Sequence, residues 1–167
     1  DPATQARVKA HYGDLRRLGS QMPFGFDVQF NDKSALAATP EEREAEFEQR
    51  WTHGGLPFLG CYSDLLYDKA ANEFAAAFIR KKIRGIVRDP QVAALLTPDS
   101  VVGCKRLCSD TGYFETFNRD NVTLVDVRSA PIEAILPTGL RSAKRAYEFD
   151  DLILATGFDA MTGPMLR

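Results

Sequence analysis

The run Asp151-Leu-Ile-Leu-Ala155 constrains the fold more than any other stretch of the chain: four apolar residues in succession, then Thr156-Gly157. A strand this apolar is unsuited to a wet sheet edge and should be covered on both faces and paired on both sides. Other strand candidates are few. VTLVDV (122–127), IEAIL (132–136), GLRSA (139–143) and AYEF (146–149) are separated by turn residues such as Pro137-Thr138-Gly139. The expectation is a sheet completed by residues outside this chain. The first residue is Asp1 rather than Met, so the start of the gene product is also expected to lie upstream.

Before residue 100 the periodicity is helical. Residues 3–18 place Val8, Tyr12, Leu15 and Leu18 at spacings of three and four, which predicts one amphipathic helix. A loop rich in Gly, Pro and Phe follows, MPFGFDVQFND. Thr39-Pro40-Glu41-Glu42 then combines a capping hydroxyl, a proline suited to the first turn and acids at the positive end of the dipole. That helix should run to about Trp51 and stop at Gly54-Gly55. The longest helix is predicted from Asp68, with Phe74, Phe78, Ile79, Ile83 and Ile86 on one stripe and cations toward its C-terminus. Asp89-Pro90 opens a shorter helix through Leu96, and YFETFNR predicts a helical turn.

A formal net charge of −2 offers no electrostatic footprint for nucleic acid, and Arg80-Lys81-Lys82 is read as a solvated helix face. No apolar run approaches membrane-spanning length, and the N-terminus carries no signal-peptide core. Three cysteines, Cys61, Cys104 and Cys108, suit reduced thiols in a cytoplasmic protein better than a disulfide framework. Cys104 and Cys108 have no second Cys pair or paired His to complete a zinc site, so no metal is expected, and both are read as buried free thiols. Trp51, Phe58, Tyr62 and Tyr67 border the Gly-Gly loop and are read as core packing.

Lys105-Arg106 lies in a loop between Val101-Val102 and Leu107. Taken alone, such a pair reads first as surface charge. Its functional reading is anion recognition, with Arg a rigid fork of donors and Lys a point charge. No G-x-G-x-x-G occurs anywhere, so the chain has no phosphate-cradling loop of its own for a dinucleotide.

GCKRLCSDTGYFETFNRDNVTLVDV followed by DLILATGFDAMTG resembles the central part of Baeyer–Villiger monooxygenases of the cyclohexanone and phenylacetone type. Trp51-Thr-His-Gly-Gly55, then YDKAANEFAAAFIRKKI, then the Thr-Pro ahead of the Lys-Arg pair agree with it, and the likeness covers about residues 20 to 163. The resemblance implies a fold between α+β and α/β. Residues 1–102 would be a helical insertion, 103–155 the returning C-terminal half of a Rossmann-type NADP domain with a small β-meander, and 156–167 a linker back to the FAD domain. The two-dinucleotide flavoprotein fold would be incomplete here, since both glycine-rich fingerprints and the family's His- and Trp-containing signature lie outside this sequence.

The resemblance further implies FAD and NADPH as cofactors, with O2 and a ketone as substrates and an ester or lactone as product. Arg106 falls on the family's active-site arginine, which would stabilise negative charge on oxygen while also touching NADP. Its acidic partner in the family comes from a segment absent here. Lys105 matches the position that holds the NADP 2′-phosphate, and Thr156 and Gly157 would lie in the interdomain crossing near the cofactors. The partners would be the remainder of the FAD and NADP domains, and the 167 residues alone are expected to be inactive and to bind neither cofactor fully. Two alternatives stand beside this: another flavin monooxygenase that oxygenates N or S, and a helical module without activity of its own.

Overall fold

The computed structural model describes residues 1–22, 25 and 30–157. Two compact units divide the chain, Asp1–Val122 and a second beginning at Thr123. Residues 103 to 122 therefore pack with the helices, although the sequence resemblance sets its boundary at 102.

The first unit is helical: α1 (Pro2–Ala10), α2 (Tyr12–Ser20), α3 (Pro40–His53), a 3₁₀ turn (Leu56–Gly60), α4 (Lys69–Ile86), α5 (Pro90–Leu96) and α6 (Tyr113–Thr116). Local chemistry sets most of these limits. Thr39 and Glu42 form a reciprocal cap on α3: Glu42 N–H donates to Thr39 Oγ1 at 3.2 Å and Thr39 N–H to Glu42 Oε2 at 2.8 Å. Gly54 ends the helix at a φ of 81°. Asp68 and Asp89 cap α4 and α5 through their carboxylates. The single helix expected over 3–18 is two, broken at His11, which leaves helical geometry with φ −112° and ψ 16°. Gly13, a weak helix former, falls in the first turn of α2 next to this break.

The core lies where α3, the 3₁₀ turn and α4 meet. Phe47, Phe58, Tyr62, Leu65 and Phe78 are buried, with Trp51 packed against them. Ala71, Ala75 and Ala76 give α4 a small-residue face that lets its neighbours approach. Tyr67, expected in this cluster, is 89% exposed, because it lies in the turn before α4 on the side away from the core. A second cluster joins Ile83, Val87 and Ala93 with Phe114 of α6.

The cations of α4 are not simply solvated. Lys81 Nζ reaches Glu44 at 2.5 Å and Lys82 Nζ reaches Glu48 at 2.8 Å, so both stitch α4 to α3, while Arg80 pairs with Glu73. Lys82 also lies 5.8 Å from the ring centroids of both Trp51 and Phe78. Exposed pairs of this kind add little stability each, and here they fix the register of two helices. Asp64 performs a similar task for the loop before α3. It accepts from Ser34 Oγ at 2.5 Å and from Ala35 N–H at 2.8 Å. Burial pushes its carboxyl up, and the hydrogen bonds from Ser34, Ala35 and Leu36 outweigh that, leaving it below its ordinary value.

The second unit is an antiparallel meander of β1 (Ile132–Leu136), β2 (Gly139–Ser142) and β3 (Ala146–Glu148), in that order. Leu136 pairs with Gly139 across the Pro137-Thr138 turn, and Gly139 pairs with Glu148. A Cβ on Gly139 would meet the Tyr147 carbonyl oxygen at 1.9 Å, so only glycine admits β3 alongside.

Two expected strands are not formed. Residues 122–126 and 151–157 carry no ladder, and Ile153 and Leu154 are 87% and 70% exposed. An apolar run requires a partner to satisfy its N–H and C=O groups as a strand, and none of the described residues offers these two one. The described helices include none long and apolar enough to cross a membrane.

Candidate functional site

Lys105 and Arg106 sit on a short arch whose two ends are fixed to the helical core. At its start, Val102 is buried and held by Asn72 of α4. Asn72 Oδ1 accepts from Val102 N–H at 3.0 Å, and Asn72 Nδ2 donates to the Val102 carbonyl at 3.0 Å and to the Leu65 carbonyl at 2.9 Å. Gly103 follows with a φ of 90°, a conformation favouring glycine. A Cβ there would meet Leu66 Cδ2 at 2.7 Å. At the far end, Leu107 packs against the core cluster. The side chains of Lys105 and Arg106 are exposed between these two anchors.

Both cations border a depression of about 310 Å³ whose other walls include Ala76, Ile79 and Arg80 of α4, together with Asp99. With Arg80 already paired to Glu73, the charge of Lys105 and Arg106 against Asp99 still favours an anionic ligand over a neutral one. Arg80 and Asn72 escaped the sequence reading. Arg80 was hidden in a run that looks like ordinary surface charge. Asn72 did leave a signal: an amide, a weak helix former, among the alanines of a strongly helical stretch.

Cys104 and Cys108, expected to be buried, are exposed, because the arch lies on the surface with only Val102 and Leu107 turned inward. Cys61 is the buried thiol, and burial pushes its pKa up to about 12. A native chain treated at pH 8 with an excess of a chromogenic aromatic disulfide should release two equivalents of thiolate quickly, and the third only on unfolding. Rapid release of all three would show that Cys61 is not enclosed.

Thr156 and Gly157 belong to the second unit; both are exposed, and Gly157 has a φ of 84°. The remainder of the expected interdomain crossing, 158–167, lies outside the described residues.

The chain has counterparts among known proteins. A steroid monooxygenase solved in its oxidised form bound to NADP matches 89% of this chain at 47% identity, with a TM-score of 0.83 over 29% of its own length. A Baeyer–Villiger monooxygenase from Pseudooceanicola batsensis is 40% identical over 170 residues, taking in 100% of this chain and 31% of that protein.

The chain is homologous to the Baeyer–Villiger monooxygenases.

It spans about a third of the length of the curated relatives it matches. Alongside its Baeyer–Villiger relatives stands a phenazine N-monooxygenase from Lysobacter antibioticus, 38% identical over 86% of this chain and 27% of that protein. Likeness over this stretch therefore does not by itself fix which atom is oxygenated. No protein-family profile matches the chain.

Proposed function

We propose that this chain is the nicotinamide-side part of an FAD- and NADPH-dependent Baeyer–Villiger monooxygenase, which inserts one oxygen atom of O2 into a ketone to give an ester or lactone. In this reading residues 1–102 are the helical insertion of the NADP domain, 103–155 its returning Rossmann-type part, and 156–167 the link back to the FAD domain. The observation that carries it is the adjacent Lys105 and Arg106, exposed on an arch held at Val102 and Leu107, in a chain homologous to these enzymes. Three free cysteines accord with the reducing cytoplasm.

The residues present fit an NADP phosphate. Lys105, Arg106 and Arg80 surround one concavity, and a point charge such as Lys105 suits the compact dianionic 2′-phosphate. They do not form a pyrophosphate cradle, since the sequence has no G-x-G-x-x-G, so FAD would be held by other segments. When bound, the flavin supplies the activated oxygen.

This chain's part is electrostatic. A guanidinium presents several N–H donors in a rigid plane, so Arg106 is suited to stabilise negative charge developing on a ketone oxygen. Lys105 places charge at the 2′-phosphate, which distinguishes NADPH from NADH. Fixing both on an arch anchored at each end means little reorganisation is required when charge develops.

In the full-length enzyme, Lys105→Ala should raise KM for NADPH about tenfold or more, the scale of one lost charge-assisted contact, while changing that for NADH much less. Equal changes for the two nicotinamides would remove Lys105 from the 2′-phosphate.

A further inference from the structure

We propose that Asn72, on α4, is a positioning residue that sets where Lys105 and Arg106 point. The inference rests on the function proposed above for those two side chains.

Asn72 is 5% exposed and sits in the first turns of α4, thirty residues before Val102. Its amide is fully engaged, and two of its three side-chain hydrogen bonds go to one residue: Val102 donates its N–H to Oδ1 and accepts from Nδ2, both at 3.0 Å. This double bond pattern fixes both the position and the rotation of a peptide segment, as a strand partner would. A leucine of similar size would fill the same volume, and a buried amide contributes stability only when each of its polar atoms is paired. What the amide adds over a hydrophobe is therefore directional hold on the backbone of residue 102.

The consequence passes directly to the arch. Gly103 takes its φ of 90° immediately after the clamped residue and lies against Leu66, leaving the backbone little freedom before Lys105. Leu107 closes the far end. Meanwhile α4 is joined to α3 through Phe74, Phe78, Lys81 and Lys82, and the Asn72 side chain bonds instead to Leu65 and Val102. Loss of the clamp should therefore disturb the arch more than the helical core. The same α4 carries Arg80 to the depression, so Asn72 ties the three cations to one rigid element.

The test uses the full-length holoenzyme and the ratio of kcat/KM for NADPH to that for NADH. Asn72→Leu should lower this ratio about tenfold, the scale of one misplaced charged hydrogen bond. In a Lys105→Ala background it should change the ratio no further, because the group it positions is gone. A merely structural role would reduce both efficiencies by the same factor and leave the ratio intact, and that result overturns the inference. If the ratio responds to Lys105→Ala and not to Asn72→Leu, the inference falls alone. If it does not respond to Lys105→Ala, the functional reading falls and takes the inference with it. Should Asn72→Leu yield no holoenzyme, Asn72→Ser decides by the same ratio: it is neutral and small, and its short hydroxyl cannot hold both the N–H and the carbonyl of Val102.

Discussion

Arg106→Ala in the full-length protein should leave flavin reduction by NADPH measurable and bring ester formation to below about one hundredth of its wild-type rate. One preorganised donor aimed at developing negative charge is worth about 3 kcal/mol of barrier, and a full guanidinium no less. The arch is anchored at Val102 and Leu107 and not through the exposed Arg106 side chain, so truncating that side chain should leave the fold in place. Reduction and oxygen transfer separate in a stopped-flow trace of flavin absorbance followed by product analysis. Arg106→Lys is the informative companion: it keeps the charge and loses the planar fork, and should recover only part of the rate. Undiminished lactone from Arg106→Ala would remove this side chain from catalysis.

The largest effect on stability is expected at Phe47. Its ring centroid lies 5.4 Å from that of Phe78, 5.6 Å from Tyr62 and 5.8 Å from Phe58, and the side chain is almost wholly enclosed. Truncation to alanine leaves a void where three elements converge, and Phe→Ala substitutions of this kind cost about 3–5 kcal/mol. For a chain of this length that corresponds to a fall in Tm of roughly 10 °C. Leu95→Ala, at a half-exposed position on α5, should change stability by no more than about 0.5 kcal/mol. Thermal unfolding followed by circular dichroism compares the two, and similar melting temperatures would place the core elsewhere.

Elements whose ends are set by local chemistry were legible in the sequence. Thr39-Pro40, Asp68 and Asp89-Pro90 each mark the start of a helix, and Pro137-Thr138-Gly139 marks the hairpin between β1 and β2. Each works through atoms within a few residues of one another. The misreadings share the opposite property. Apolarity in 151–155 and 122–127 signals a demand for burial but does not say which partner meets it, and the described residues supply no ladder to either. The exposure of Cys104 and Cys108 depends on which residues of the arch turn inward, and that is settled by a contact thirty positions away. The candidate site followed the same division. Lys105 and Arg106 stand out in the sequence as an adjacent pair suited to anions, a weak signal to which the resemblance adds specific roles. Asn72 and Arg80, which reach the arch across the fold, were found in three dimensions.

Gly103 has a bearing on redesign. Because a methyl group there would run into Leu66, and because the preceding residue is gripped by Asn72, the loop cannot be transplanted as a sequence cassette. A graft that carries 103 to 107 into another scaffold would inherit its shape only if the recipient also offered a side chain no larger than leucine at the site of 66 and a carboxamide at the site of 72.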